Sequence, residues 1–337
     1  MILTFKVRHG RDFSLELAKA RQVAMYAIEH RVLSSKDVKQ FGLKSMISNQ
    51  ILRKYARNKE AREASRVKLT VPAQGIKFSH ERREIRVPSL DLGLNYHFRN
   101  DFLKINQIEV SKEFIHISVT IPDENMITPK GYLGVDRNTT GHIAVIANPN
   151  SGKILKLGKK GSHVHKKYKN MRRDLQKKGK PGKVERTKGR ERNIERDLNH
   201  KVSKRIVQEA KRNGMGIKLE YLKGIRTAKS SRNFRYSLNS WSFYQLQQMI
   251  EYKARLLGIP VAYVDPYHTS KDCSRCGHIG NRSGKKFKCQ CGHVDHADAN
   301  ASFNIALRPI FEEGVDQLHV DRDACKGNTD IPKEATP

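Results

Sequence analysis

Lys271 to Ile305 reads KDCSRCGHIGNRSGKKFKCQCGHVDHADANASFNI, and two features are packed into it. One is a set of four cysteines, Cys273, Cys276, Cys289 and Cys291. The other is Asp298, at the start of an apolar-periodic segment directly after the last of them. The Cys273-x-x-Cys276 spacing lets both sulfurs point into one tetrahedral site, and Gly277 permits the tight turn behind them. The second half, Cys289-x-Cys291, is one residue shorter than the usual Cys-x-x-Cys and is expected to close with more strain, with His278 and His293 nearby as substitute ligands. Free thiols or a redox pair are the competing reading. A basic, glycine-containing loop of ribbon length between the halves favours one structural zinc ion, built into a catalytic domain that continues through Asp298.

Charge sets the class of partner. Lys and Arg number 66 against 34 Asp and Glu in 337 residues, a formal net charge of +32. Such an excess repels itself unless a polyanion neutralises it, so nucleic acid is the expected partner. A ribosomal-type protein would share the charge but rarely the length. The opening MILTFKVRHG has no apolar signal core, and no stretch is long enough to span a bilayer. Four of the five cysteines fall in the metal-like cluster, which fits a reducing interior and a cytoplasmic location. Cys325 is read as a free thiol.

Working back along the chain, residues 2–8 alternate apolar and basic and predict a strand. The segment LELAKARQVAMYAIEHRVL predicts a helix with Leu17, Val23, Ala24, Ala27 and Ile28 near one face. A second helix is expected to run on through VKQFGLKSMISNQILRKYARNKEAREAS. Its later half carries Arg53, Lys54, Arg57, Lys59 and Arg62 as candidate phosphate contacts. From Lys68 to Pro122, short strands broken by Gly, Asn and Asp turns predict a small barrel or sandwich. The first strand would complete it, leaving the helices as an insertion. Residues 130–157 read as a three-strand meander, then a long basic helical stretch runs from about His163 to Arg212, broken at GKPGK. That stretch contributes Lys166, Lys167, Arg172 and Arg173 as further contacts. A strand ending at Glu220, a polar loop at 222–240, a helix bearing Trp241, Leu246, Met249, Ile250 and Leu257, and a strand ending at Asp265 complete the series. Strand, strand, strand, helix, strand, helix, strand, insertion, helix is the order of an RNase H-like nuclease domain.

Asp136 and Glu220 each end an apolar strand, and Asp298 opens a helix. Neighbouring strands would bring the three carboxylates together, and converging carboxylates repel unless cations sit between them. Magnesium is a hard ion that takes oxygen ligands and keeps waters for a substrate phosphate. Two such ions about 4 Å apart can activate water and stabilise the leaving oxygen in phosphodiester cleavage. Asp265 is a rival, but Pro266 follows it and it is read as a turn residue.

The segments GVDRN, KLEYLKGIR, VDPYHTSKDCSRCG and CGHVDHADANASFNI resemble TnpB, the transposon-encoded family also called OrfB, over roughly Gly131 to Leu307. The resemblance implies an α+β multidomain fold. A β-barrel-like wedge domain with a small helical insertion precedes an RNase H-like (RuvC) α/β nuclease domain carrying a zinc ribbon. The implied segments are a wedge strand at 1–10, a helical recognition domain at 11–66, the remaining wedge at 67–125, the nuclease domain at 126–269, a zinc-ribbon target-nucleic-acid-binding insertion at 270–294, the last nuclease helix at 295–309 and a disordered tail at 310–337. Asp136, Glu220 and Asp298 fall on the family's catalytic acids, and the four cysteines on its zinc-binding insertion. The family implies an RNA-guided DNA endonuclease, related to compact type V CRISPR effectors, in which guide pairing reads the target and the protein reads a short flanking motif. A guide RNA from the transposon end and double-stranded target DNA are the implied partners, with one chain per RNA. Family members often carry Asp-x-Asp at the last motif, where this chain has His296-Ala297-Asp298. A guide-directed repressor without cleavage would need no carboxylates. A strand-transfer transposase would use similar acids without RNA, joining DNA ends as well as cutting them. The loop at 222–240 is a candidate lid.

Overall fold

Strict alternation in ILTFKVR produces β1 (Ile2–Arg8), whose even and odd residues differ in burial along its whole length. In the computed structural model, residues 1–98, 101–138, 140–222 and 243–311 are described. Residues 223–240 of the candidate lid, Trp241 and the tail from residue 312 onward lie outside the described residues. The chain divides into two units, one over Met1–Pro122 and one beginning at Asp123.

In the first unit, β1 is followed by α1 (Ser14–His30), a 3-10 segment over Ser35–Phe41 and α2 (Ser45–Tyr55). The strands β2 (Leu69–Pro72), β3 (Lys77–Ser79), β4 (Glu84–Val87), β5 (Leu92–Asn95), β6 (Lys104–Val110) and β7 (Phe114–Thr120) follow. They form two antiparallel sheets, ordered β1-β7-β6-β2 and β3-β4-β5. The first strand pairs with the last, Ile2 opposite Thr120, so the helices are an insertion between β1 and β2. The second helix is shorter than its pattern predicts and stops at Tyr55. Arg31 explains the stop: its guanidinium donates to the carbonyls of Tyr55, Ala56, Asn58 and Lys59 at 2.7–3.4 Å. Carbonyls that a longer helix would have used are thus satisfied from α1's end.

The second unit is built on β8 (Tyr132–Arg137), β9 (Ala144–Asn148) and β10 (Lys153–Leu157), then α3 (Lys160–Lys177), α4 (Pro181–Asn213), β11 (Gly216–Glu220), α5 (Phe243–Arg255) and β12 (Val261–Val264). A small sheet, β13 (Asn281–Ser283), β14 (Lys286–Lys288) and β15 (Val294–His296), carries the cysteines and runs into α6 (Ala297–Leu307). The large sheet has the order β10-β9-β8-β11-β12. The β8–β10 strands are an antiparallel meander, while β11 runs parallel to both β8 and β12.

Period two divides each strand between faces. Leu133, Val135, Ile217 and Leu219 join Val202, Ile206 and Ala210 of α4 and Leu246 and Ile250 of α5 in one core. Gly134 and Lys218 face the other way, onto α6: Lys218 Nζ donates to Ala306 O at 3.1 Å and Arg308 O at 2.5 Å, capping that helix. Asp136 and Glu220 share this face by the same alternation. The ladder pairs Lys218 with Gly134 and Leu219 with Val135, so Glu220 and Asp136 occupy its next rung.

Gly134 lets α6 lie directly on the sheet. A Cβ there would fall 1.9 Å from the Ser302 carbonyl oxygen and 2.5 Å from the Ala306 nitrogen, both backbone atoms that cannot step aside. Gly134→Ala is expected to cost about 3 kcal/mol or more, read as a lower urea midpoint. An unchanged midpoint would mean that the helix is free to lift.

Candidate functional site

Asp136, at the end of β8, has its side-chain oxygen Oδ2 3.0 Å from Asn138 Nδ2, which donates to it. Burial, together with the charges of Glu220 and Asp298, pushes its carboxyl up to about 7. Glu220, at the end of β11, is also pushed up by burial, and accepts from Thr269 Oγ1 at 2.5 Å. Asp298 is fully buried in the first turn of α6. Its oxygens accept from Lys285 Nζ at 2.6 Å and Arg282 Nη2 at 3.3 Å, both on the cysteine-bearing hairpin. Lys285 also reaches Asn138 Oδ1 at 3.4 Å, which links the hairpin to the partner of Asp136. The charges of Glu220 and Asp298 therefore act on Asp136, and two cations of the hairpin lie against Asp298. Their donor atoms are not all within 4.8 Å of one another. As a donor set, three carboxylates, of which Asp136 has its ionisation opposed by burial and by the charges of the other two, fit a hard divalent ion, which would take the charge now met by Lys285 and Arg282.

Asp265 is exposed and accepts from the Tyr267 N–H at 2.9 Å, as a turn residue does. His296 Nδ1 lies 4.0 Å from Asp298 Oδ2, and burial lowers its pKa, which favours the neutral imidazole.

The four cysteine sulfurs all lie within 4.8 Å of one another. Cys273 to Cys291 is 3.7 Å and Cys276 to Cys289 is 3.5 Å. A tetrahedron with Zn–S bonds of about 2.3 Å places its sulfurs about 3.8 Å apart, so the set fits zinc without recruiting a histidine. The short Cys-x-Cys half closes because Gly292 takes a φ of 83°, with Cys289 N donating to His293 O at 2.9 Å. The His293 N–H pushes the Cys291 thiol down to about 7, toward the thiolate a metal binds. Cys273 is buried against Phe287 and Ala297, so the cluster abuts the start of α6.

Several residues at the site carry no sequence signal of their own. Asn300 and Asn304 donate from α6 to Asp272 O at 2.7 Å, and Asn304 also to Thr269 O at 2.8 Å, pinning the ribbon's stem. Polar residues inside an apolar helix are their trace in the sequence. Arg137 is buried behind the acids, donating to Glu220 O at 2.6 Å and Gln247 Oε1 at 2.8 Å. Gln247 in turn donates to Glu251 at 2.9 Å and Tyr263 at 2.8 Å.

Among the candidate phosphate contacts, Arg53, Arg57, Lys59, Arg62, Lys166, Lys167 and Arg173 are exposed, and Lys54 is half-buried. Arg172 is a correction: its side chain is only 12% exposed and is paired with Glu191 of α4. His165 Nδ1 lies 3.1 Å from Glu191 Oε1, and Glu195 completes the group. Among the described residues, His165, Glu191 and Glu195 are a second set with donor atoms within 4.8 Å. The Arg172 pairing makes it an ion-pair clasp between α3 and α4. Burial, then Glu191, pushes Glu195 up to about 7, above the unfolded carboxyl near 4.5. The cost of its charge is therefore absent below the unfolded value, grows as pH rises, and is complete above 7. Glu195→Gln is expected to stabilise the chain by about 1–2 kcal/mol at pH 8 after solvent screening, and by nothing at pH 4. Equal urea midpoints at pH 8 would contradict this.

Among the described residues, no helix is long and apolar enough to cross a membrane. Residues 243–305 match the family described as Cas12f1-like, TNB domain. The fold resembles that in a cryo-EM structure of a Cas12f1-sgRNA-target DNA complex, with a TM-score of 0.61 at 15% identity over 89% of this chain and 82% of that one. A CRISPR-associated endodeoxyribonuclease Cas12f1 of Sulfoacidibacillus thermotolerans is 44% identical over 35% of this chain and 28% of its own length. The TnpB-like protein MJ0751 of Methanocaldococcus jannaschii is 34% identical over 225 residues, 62% of this chain and 79% of that protein. With that identity across most of the archaeal protein, the chain belongs to the TnpB-like family.

Proposed function

We propose that this chain is the RNA-guided DNA endonuclease of a transposon, cutting phosphodiester bonds at an RNase H-like (RuvC) centre made of Asp136, Glu220 and Asp298. The observation that carries the proposal is electrostatic. The charges of Glu220, on β11 beside and parallel to β8, and of Asp298, on α6, act on the buried Asp136, whose carboxyl is pushed up to about 7 by burial and by that repulsion. Like charges brought together at the ends of two sheet strands and one helix suit a divalent cation that would neutralise them. Magnesium at these acids would supply an activated water and stabilise the leaving oxygen.

The chain's own residues do the positioning. Asn138 orients Asp136, Thr269 orients Glu220, and Arg137 fixes the Glu220 backbone. Arg282 and Lys285 place cationic donors where a phosphate would enter. A zinc-bound ribbon keeps that hairpin folded. The barrel-like wedge, its helical insertion and the exposed cations of α2, of the segment that follows it and of α3 would hold guide RNA and target DNA through phosphates, in keeping with the +32 charge. The Cas12f1 assembly of similar fold contains sgRNA and target DNA.

Expressing the chain with its native flanking DNA and sequencing the co-purified RNA tests the guide. A discrete RNA from the transposon end, and DNA ends that are cut but not joined, are expected. Joined ends without any RNA would replace the proposal with strand transfer.

A further inference from the structure

Resting on the nuclease reading above, we propose that Tyr267 is a stacking platform for an unpaired base of the DNA strand entering the acid centre. Because β12 runs parallel to β11, and β11 to β8, the turn after β12 opens on the sheet edge where Asp136 and Glu220 stand. Thr269, two residues beyond Tyr267, holds Glu220 directly at 2.5 Å. The turn is therefore part of the wall of the acid centre.

Tyr267 is 68% exposed, a large amount for an aromatic ring on so ordered a turn. Its ring lies on the His268 imidazole, centroids 3.9 Å apart and 13° from parallel, and its remaining surface is open. The backbone beneath is held on several sides. Asp265 Oδ1 accepts from Tyr267 N at 2.9 Å, and Arg308 donates to Asp265 O at 3.0 Å and to Tyr267 O. His268 sits at φ 57°, a left-handed conformation unfavourable for a residue with a Cβ. Two amide N–H groups, those of Lys271 and Asp272, donate to its carbonyl at 2.9 Å and keep it there. A rigid, outward-facing ring offers a π-face to any base without reading its sequence, and Lys271 and Arg275, both exposed, can meet the flanking phosphates.

The test uses the full chain in EDTA with a 12-nucleotide thymidine DNA carrying one 5-iodouracil, irradiated and mapped by mass spectrometry. A crosslink at Tyr267 or His268 is expected, kept in Tyr267→Phe and lowered about fivefold or more in Tyr267→Leu. Anisotropy titrations should show the Tyr267→Leu loss as the same factor at every salt concentration, because stacking releases no counterions. Guided cleavage should slow by a similar factor in Tyr267→Leu and stay within about twofold in Tyr267→Phe. Guided cleavage with no crosslink in this turn, or with Tyr267→Leu indistinguishable from wild type, overturns the platform and leaves the nuclease. A crosslink from iodouracil in the guide RNA but not in DNA overturns it too. A crosslink at Tyr267 in a chain that cuts no DNA with any guide would support the platform and overturn the nuclease.

Discussion

Asp136→Asn is expected to lower guided DNA cleavage by about a thousandfold or more while making the metal-free protein harder to unfold. The two effects have one cause. Asp136 is buried beside Glu220 and Asp298, and its ionisation is resisted until about pH 7. An unfolded aspartate ionises near 3.8, so the cost of the buried charge starts above that value and is complete above about 7. An amide of the same shape keeps the Asn138 contact region filled and carries no charge. At pH 8 in EDTA the variant should gain about 2–4 kcal/mol by urea unfolding, and at pH 4 little. The activity loss follows the scale for removing one member of a catalytic set. Loss of cleavage accompanied by lower stability at pH 8 would make Asp136 a structural residue.

Cys273→Ser is expected to remove the zinc and, with it, cleavage, although no acid is touched. Cys273 is buried against Phe287 and Ala297, one residue before Asp298. The hairpin between the cysteine pairs delivers Arg282 and Lys285 to Asp298. Structural zinc contributes about 10–16 kcal/mol of apparent binding energy in zinc-finger peptides, more than a ribbon with so small an apolar core could replace. Metal analysis should give one zinc per wild-type chain and none in the variant. Proteolysis should cut the variant's ribbon, with guided cleavage down about a hundredfold or more by analogy with lost positioning. The main sheet, whose core is formed with α4 and α5, should persist in circular dichroism. Full zinc content in Cys273→Ser, or full activity in a zinc-free wild type, would contradict this.

What the sequence revealed and what it hid divide along one line. Local signals were legible: the alternation in β1, the meander of β8–β10, the two basic helices broken at Lys178–Pro181, and the carboxylates ending β8 and β11. Period two even assigns Asp136 and Glu220 to one face. Hidden were features set by partners far along the chain. The early end of α2 depends on Arg31, more than twenty residues before it. Arg172 looked like another phosphate contact because Glu191, which turns it inward, lies on the next helix. The strain expected of Cys289-x-Cys291 is relieved by the left-handed turn at Gly292. Lys218, in a strand otherwise read as apolar, caps a helix ninety residues on. Neither helical nor strand periodicity contains such pairings.

The most direct measurement is programmed cleavage. The ribonucleoprotein is offered a DNA library with a guide-matched target and a randomised flank, with and without magnesium, beside Asp136→Ala. Cutting that requires the RNA, magnesium and Asp136, next to one recovered flanking motif, is the predicted result. RNA-dependent binding with no cutting, indistinguishable from Asp136→Ala, would contradict it and leave a guided DNA-binding protein.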